Sequence, residues 1–174
     1  MLFRSGYGAS ADAQHITLPA PGGYGAVRAA RRALEKAGRA ASEIDHVNAH
    51  ATSTPEGDKA ELDAIRTILT GAPDAATAAA ADPTALRASI TATKGNIGHT
   101  LGAAGALGAA ATICAMRDGR VHATLNLTTP DPAVGALDIV RGAPREQRVA
   151  LALVNAFGFG GQNSALLLAA WTGR

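Results

Sequence analysis

Apolar positions recur with a helical period in two stretches of the chain. Residues 25–38 place four apolar side chains on one face, and Gly38 is a typical C-terminal stop. These side chains are Val27, Ala30, Leu34 and Ala37. A second stretch begins at Gly57 or Asp58 and carries an apolar stripe of Leu62, Ile65 and Leu69. Both stretches are predicted to be amphipathic helices with one face in a core.

Shorter apolar runs between polar, glycine-rich segments indicate β-strands. Residues 121–131 are predicted to be extended, and the final two strands flank a loop at 156–162, which is a hairpin pattern. The predicted strands are residues 44–49, 88–93, 137–140, 148–155 and 163–170. The alternation of strands and helices predicts a mixed α/β layered fold.

Two segments show no periodic pattern. Residues 1–24, which include the turn cluster Pro19–Gly23, are expected to be an irregular lead-in. Residues 71–87 are rich in alanine and are expected to be a low-complexity surface connection. We expect residues 1–174 to form one domain. Because a domain seldom opens with so much irregular chain, we also expect it to begin within a larger protein.

The stretch from Thr91 to Ala106 joins a predicted strand to a predicted helix through a polar, glycine-rich loop that holds Lys94 and His99. The helix continues to Met116 and is apolar on all sides, with glycines at 102, 105 and 108. Such a helix is expected to be buried, either between layers or at a subunit contact. Its apolar run of about 16 residues is shorter than the ~20 residues that span a membrane.

Composition narrows the possible functions. The 174 residues are 47% hydrophobic and only 3% aromatic, and the net charge of +2 comes from scattered arginines. Without a basic stripe or a known motif, nucleic-acid binding is not expected. The single cysteine, Cys114, excludes an internal disulfide and fits a reducing compartment, so we expect a cytoplasmic location. Cys114 itself is expected to be a buried structural thiol.

Three polar loops that each follow a predicted strand are candidates for chemistry, since α/β sheets place sites at one edge. They hold His50, Lys94 with His99, and Phe157 to Gly161. Each signal alone has an ordinary alternative: a structural histidine, a solvated lysine or a simple turn. Neither histidine has a partner at metal-ligand spacing, so no metal is expected. His99 near a helix N-terminus would stay neutral and could donate a hydrogen bond to an oxyanion.

Together the loops resemble the C-terminal signatures of elongating (type II) β-ketoacyl-acyl carrier protein synthases, which are thiolase-like proteins. The matching segments are residues 48–61, 93–106 and 155–163, in the family's order. The resemblance implies the C-terminal half of a thiolase-like layered sandwich, with a mixed five-stranded sheet and a buried helix rich in alanine and glycine. It also implies that two such halves form one subunit and that complete subunits form a homodimer.

The resemblance further implies decarboxylative Claisen condensation between an acyl chain on an enzyme cysteine and malonyl-acyl carrier protein. His50 and His99 match the catalytic histidines, and Lys94 matches the family lysine, which we expect beside His99 to keep that ring neutral. No cofactor is expected, because the substrate is carried on the phosphopantetheine arm of the acyl carrier protein. Residues matching that arm's binding site are Thr52, Thr54, Phe159 and Gly160, and the remaining gating-loop residues are Phe157, Gly158 and Gly161.

The chain departs from the family pattern in ways that bear on function. The nucleophilic cysteine belongs to the family's N-terminal half, so that half or a longer parent chain is an expected partner. Cys114 cannot replace it, because it lies 15 residues past His99, roughly 22 Å along a helix. The remaining departures are Ala51 for the usual glycine, Gly95-Asn-Ile for Ser-Met-Thr, Gln162 for threonine and a 71–87 connection that is longer than typical. The alternative function is a non-catalytic ketosynthase-like partner subunit of the chain-length-factor type.

Overall fold

Six of the eight strands found in residues 4–170, the part of the chain that the computed structural model describes, form one mixed sheet. The strands are β1 (Arg4–Ala11), β2 (His46–Asn48), β3 (Ser89–Thr91), β4 (Arg120–Val121), β5 (Asp138–Ile139), β6 (Arg145–Glu146), β7 (Leu151–Gly158) and β8 (Gln162–Ala169). The sheet order is β1-β8-β7-β2-β3-β5, and β4 pairs with β6 separately. Strands β7, β2, β3 and β5 are mutually parallel, whereas β8 is antiparallel to both of its neighbours. The predicted mixed α/β class is therefore confirmed.

Helices lie on both faces of this sheet. They are α1 (Tyr24–Ala37), α2 (Pro55–Thr70), α3 (Ala75–Ala79), α4 (Lys94–Ile97) and α5 (Ala104–Asp118). Helices α1, α2 and α5 each end at a left-handed glycine, and the predicted stop Gly38 is one of these. Helix α2 begins earlier than predicted because Pro55 occupies its first turn, where a missing N–H costs nothing. Among residues 4–170, no helix is both long and apolar enough to cross a membrane.

The core divides between the two faces of the sheet. Side chains of α1 and α2 pack on Val47, Leu153 and Leu167, which are fully buried. On the other face, the C-terminal part of α5 packs on Val154 and Leu168. Nearer its N-terminus, α5 meets a polar residue of the sheet, because Asn48 Nδ2 lies 3.4 Å from the Gly108 carbonyl oxygen.

Strand β1 corrects the expectation that residues 1–24 are irregular, and it makes the sheet six-stranded instead of five-stranded. It pairs along its whole length with β8. The glycines that disguise it in the sequence are required by packing, because a Cβ on Gly8 would lie 1.9 Å from the carbonyl oxygen of Ala29. A Cβ on Gly6 would lie 2.0 Å from the Ala33 oxygen. Helix α1 thus lies directly against the β1 backbone, where an apolar strand pattern cannot appear.

The other predicted strands are present, with shorter or shifted ends. The longest shift is in the hairpin, where β7 and β8 extend to Gly158 and from Gln162. Of the extended stretch 121–131, only Val121 lies in a strand. Residues 71–87 do connect α2 to β3, and most are exposed, but they contain α3 and a turn of 3-10 helix at Pro83–Ala85.

Helix α5 is half buried within the described residues, so it is not sandwiched between two layers of this chain, and the other expectation, a subunit contact, stays a prediction. Gly108, Thr112, Ala115 and Met116 face the sheet and are buried. On the opposite face, Leu107 is 38% exposed and Cys114 is exposed, so the expectation of a buried thiol is wrong. The helix is apolar on all sides, yet none of residues 4–170 covers this outer face.

Candidate functional site

The parallel register of three strands brings the predicted loops to one edge of the sheet. Strand β2 runs parallel to β3 and to β7, with Asn48 opposite Thr91 on one side and Val154 on the other. The chain leaving β2 carries His50, the chain leaving β3 carries Lys94, and Phe157 is the penultimate residue of β7. These three residues therefore meet at the sheet edge where α/β folds place their sites.

The two histidines lie side by side at this edge. The ring centroids of His50 and His99 are 6.0 Å apart, and the rings are perpendicular. The sequence predicts this proximity, although 49 positions separate the two residues along the chain. His50 is half-buried, whereas His99 is exposed.

Hydrogen bonds define the tautomer of both rings. The backbone N–H of Phe157 donates to His50 Nδ1 at 3.3 Å, and Lys94 Nζ lies 3.3 Å from the same atom. The backbone N–H of Leu101 donates to His99 Nδ1 at 3.1 Å. Amide and ammonium groups only donate, so each Nδ1 must hold a lone pair. In each neutral ring the proton therefore lies on Nε2, from which the ring can donate one hydrogen bond to a developing negative charge.

Lys94 acts on His50, not on His99 as the sequence suggests. Its ammonium group donates to the backbone carbonyl of His50 and contacts the ring. The short helix α4, unforeseen in the sequence, begins at Lys94 and directs this side chain towards β2. The pKa of the His50 ring is lowered to about 4, mainly by burial and to a smaller extent by the positive charge of Lys94 and by the neighbouring His99. His50 therefore stays neutral at physiological pH.

A buried carboxylate that sequence reasoning missed supports the His50 loop. Glu61 Oε1 accepts hydrogen bonds from the backbone N–H of His50 at 2.8 Å and from Asn155 Nδ2 at 3.0 Å. Its Oε2 accepts from the N–H of Ala51 at 2.7 Å. Burial raises the pKa of Glu61, although these three donors oppose that effect. The available signal was position, because Glu61, Ile65 and Ile68 recur with the helical period on the buried face of α2.

Each histidine is followed by a residue in the left-handed region. Ala51, which directly follows His50 and stands at a usual glycine position, has φ +38°, and Leu101, two residues after His99, has φ +50°. The N–H of Ala51 is held by Glu61, and the N–H of Leu101 is held by His99. Non-glycine residues in this region are strained and tend to occur at functional sites.

The two threonines assigned to the phosphopantetheine arm lie beside this site at the start of α2. Their hydroxyl oxygens, Thr52 Oγ1 and Thr54 Oγ1, are 3.2 Å apart. Gly57 is needed below them, because a Cβ there would lie 2.4 Å from Thr54 Oγ1. The arrangement leaves two neighbouring hydroxyls available to a polar ligand.

The glycine-rich hairpin turn is tighter than predicted. Gly158 pairs with Gln162, so Phe157 and Gly158 belong to β7 and only residues 159–161 turn. Phe157 packs against His50 with ring centroids 5.2 Å apart, whereas Phe159 is 83% exposed. The turn is attached to the 12–17 segment, because the N–H of Gly160 donates to Ile16 at 2.7 Å.

Packing accounts for the Gly95-Asn-Ile departure. A Cβ on Gly95 would lie 2.8 Å from the carbonyl oxygen of Leu125, so a serine would not fit without a shift. Asn96 Nδ2 donates to the Ala123 carbonyl at 3.0 Å. Segment 122–126 therefore supports the turn that carries Lys94. Nothing in the structure explains Gln162, which is an exposed residue of β8.

Titratable groups near the site do not form a metal centre. Within the described residues, no three histidine, cysteine, aspartate or glutamate side chains are grouped as metal ligands would be. The chemistry that this arrangement supports is stabilisation of an oxyanion by two neutral imidazoles.

Comparison with known proteins places this site in a recognised family. Residues 4–128 match the family model described as "Beta-ketoacyl synthase, C-terminal domain". The chain is 43% identical over 164 residues to the mitochondrial 3-oxoacyl-[acyl-carrier-protein] synthase of Arabidopsis thaliana. That match covers 94% of this chain and 33% of the relative, so the chain spans about a third of its length.

Solved structures agree. A β-ketoacyl synthase from Burkholderia phymatum STM815 superposes with a TM-score of 0.83 at 37% identity, covering 97% of this chain and 37% of that one. The ishigamide ketosynthase/chain length factor gives a TM-score of 0.81 at 34% identity, covering 95% of this chain and 37% of that one. These matches confirm the predicted layered ketosynthase fold.

Proposed function

This chain belongs to the β-ketoacyl synthase family, and on that premise we propose that it supplies the two-histidine part of a 3-oxoacyl-[acyl-carrier-protein] synthase site. The reaction is decarboxylative condensation of malonyl-acyl carrier protein with an acyl thioester, in fatty-acid or polyketide synthesis. One observation carries this proposal: the ring centroids of His50 and His99 are 6.0 Å apart, and a backbone N–H occupies Nδ1 of each ring, which leaves both Nε2 atoms as hydrogen-bond donors.

The geometry suits the decarboxylation step. When the malonyl group loses CO₂, the electron pair moves to the thioester and forms an enolate oxyanion. Two preorganised N–H donors stabilise that charge without reorganising at the moment of reaction. The enolate carbon then attacks the acyl thioester, a C–C bond forms, and the enzyme thiolate leaves as the C–S bond breaks. Burial and Lys94 hold His50 in the donor form that this step requires.

The nucleophilic cysteine is proposed to come from a segment equivalent to the part of the relatives that this chain does not span. The exposed outer face of α5 offers the apolar surface on which such a segment could pack. The partners proposed are this N-terminal half, a homodimeric second subunit and an acyl carrier protein in the cytoplasm. Thr52, Thr54 and the residues of the 157–161 segment would contact the phosphopantetheine arm or gate its access.

A second candidate is a non-catalytic partner subunit of the chain-length-factor type. It is favoured by the similarity to the ishigamide ketosynthase/chain length factor. A scaffold would not need two neutral histidines, Lys94 and the buried Glu61 in one constellation, so we prefer the catalytic function.

The deciding experiment measures CO₂ release from a malonyl thioester, with the purified chain alone and mixed with a cysteine-bearing N-terminal half of a relative. We expect release in the mixture, lost in His50→Ala and in His99→Ala and retained in Cys114→Ala. Folded mixtures that release no CO₂ would overturn the catalytic proposal in favour of the partner subunit. CO₂ release that depends on Cys114 would contradict the expectation that this cysteine takes no part in the reaction.

A further inference from the structure

A small internal cavity lies beside Lys94, beneath the loop that carries His99. Its volume is about 10 Å³, and its walls come from β2, the α4 turn, the start of α5 and β7. Such a volume is close to the space that one water molecule requires. The polar lining residues are Asn48, Thr93, Lys94, Thr100 and Asn155.

Thr100 presents a buried polar atom to this region that no described residue satisfies. Its hydroxyl oxygen is shielded from solvent and has no hydrogen-bond partner within residues 4–170. Buried polar groups in folded proteins nearly always have a partner, either protein or ordered water. Thr100 also follows His99 directly, so its placement bears on the second histidine.

The other polar lining residues have unused hydrogen-bonding capacity. The Lys94 ammonium has three protons, and its protein contacts are the carbonyl and Nδ1 of His50. Asn48 donates from Nδ2 to Thr93 Oγ1 at 2.7 Å and to the Gly108 carbonyl at 3.4 Å. Asn155 donates from Nδ2 to Glu61. One proton of Lys94 and the two amide oxygens thus remain for a further partner.

We propose that this cavity binds one ordered water molecule that links Lys94 to Thr100. The water accepts a hydrogen bond from Lys94 Nζ and pairs with Thr100 Oγ1. Its remaining capacity goes to the amide oxygens of Asn48 and Asn155. A site with two to four polar partners and this volume is the kind in which buried waters occur.

This water would be a positioning element shared by the two histidines. Lys94 contacts His50, and Thr100 lies between His99 and Leu101, whose N–H fixes the His99 ring. A bridge from Lys94 to Thr100 therefore joins the support of one ring to the support of the other. Binding of this water depends only on the groups that line the cavity, so it can be tested independently of the condensation reaction proposed above.

The first test is a high-resolution crystal structure of the full chain together with three variants. We expect an ordered water within hydrogen-bond distance of Lys94 Nζ and Thr100 Oγ1, retained in Thr100→Ser and lost in Thr100→Val. The matched control is Thr112→Val, which removes the hydroxyl of a buried α5 residue that already donates to the Gly108 carbonyl at 2.8 Å. The water should persist in that control.

The second test needs no crystal and reports on the His99 support. Amide hydrogen exchange at Leu101 should become roughly tenfold faster in Thr100→Val, as expected when a local opening loses one hydrogen-bonded link. It should be unchanged in Thr100→Ser and Thr112→Val. A dry cavity, a direct protein partner for Thr100 Oγ1, or a water that remains in Thr100→Val would overturn the proposal. Unchanged Leu101 exchange in a folded Thr100→Val variant would also overturn it.

Discussion

The loops that carry His50 and His99 make similar use of the chain but are held very differently. Both follow strands of the same parallel set, and both contain a residue at positive φ, Ala51 or Leu101. The His50 loop is fixed by buried Glu61, by Lys94 and by the ring of Phe157. The His99 loop is exposed, and Leu101, which supports its ring, is 77% exposed.

The difference shows which part of an oxyanion site one chain can organise alone. His50 has its donor form and its orientation set by groups within residues 4–170. His99 receives one backbone N–H at its Nδ1, and its side chain is exposed within the described residues. Preorganisation gives such sites their effect, so we infer that the His50 half is ready and the His99 half requires a cover.

The largest expected effect comes from removing the carboxylate that fixes the first loop. Glu61→Ala leaves two buried backbone N–H groups and Asn155 without their acceptor, which we expect to lower the free energy of unfolding by about 3 kcal/mol or more. Denaturant unfolding measures this loss. The matched control, Lys59→Ala, alters an exposed residue of the same helix and should stay within ~0.5 kcal/mol. Equal losses of unfolding free energy in Glu61→Ala and Lys59→Ala would mean that Glu61 does not fix the His50 loop.

The next effect is a loss of stability in acid. His46, buried in β2, and His50 both have a pKa of about 4, mainly because of burial. In the unfolded chain these histidines have a pKa of about 6.5. Between this pH and about 4, they are therefore protonated in the unfolded chain but not in the folded one. Stability is therefore complete above pH 6.5 and declines as the pH falls towards 4, by up to about 3 kcal/mol for His46. In His46→Gln, the free energy of unfolding, measured by denaturant at several pH values, should depend less steeply on pH across this range. An unchanged pH dependence would contradict the low pKa of His46.

A smaller effect tests the cause of the neutral His50 ring. Lys94→Met removes the charge next to His50, so the pKa of that ring should rise from about 4. It should remain below 6.5, because burial, the larger cause, persists. Titration of the ring by NMR measures the shift, with Lys59→Met as the control that should leave it in place. A value that does not move would mean that burial alone sets the state of His50.

The smallest effect compares the two strained residues directly. Ala51→Gly and Leu101→Gly each relieve a left-handed conformation, which should raise the free energy of unfolding by about 1 kcal/mol. Ala110→Gly, at an exposed position inside α5, should instead lower it by about the same amount. Thermal or denaturant unfolding distinguishes the signs. A loss in Leu101→Gly would show that the leucine side chain, not the backbone, supports the His99 loop.

Periodicity predicted the elements whose side chains carry the packing. Apolar repeats and glycine residues in the sequence predict helices α1, α2 and α5 and the β7–β8 hairpin. They do not predict strand β1, because α1 packs directly against its backbone at Gly6 and Gly8, where a side chain would not fit. The burial of α5 was overestimated for a related reason: an apolar sequence indicates what a face could bury, not what is present to cover it.

For the proposed site, the motifs pointed to both histidines, whose ring centroids lie 6.0 Å apart, but not to the groups that contact them. Lys94 lies five positions before His99, and this short spacing suggested that Lys94 acts on His99. In the structure, the turn of α4 directs the Lys94 side chain to His50, which lies 44 positions earlier in the chain. Glu61 resembles an ordinary surface charge of an amphipathic helix until the helix is docked. Such relationships depend on how elements meet across the sheet, and a one-dimensional pattern contains no record of them.

The pairing of β1 with β8 has a practical consequence for protein engineering. Arg4 lies opposite Ala169 in neighbouring strands, so the two ends of the described chain are about 5 Å apart. Because β1 and β7 are both antiparallel to β8, these ends lie at the sheet edge opposite the histidines. A short linker could therefore join the ends, and circular permutants opened within the exposed 71–87 connection would leave the two-histidine edge untouched.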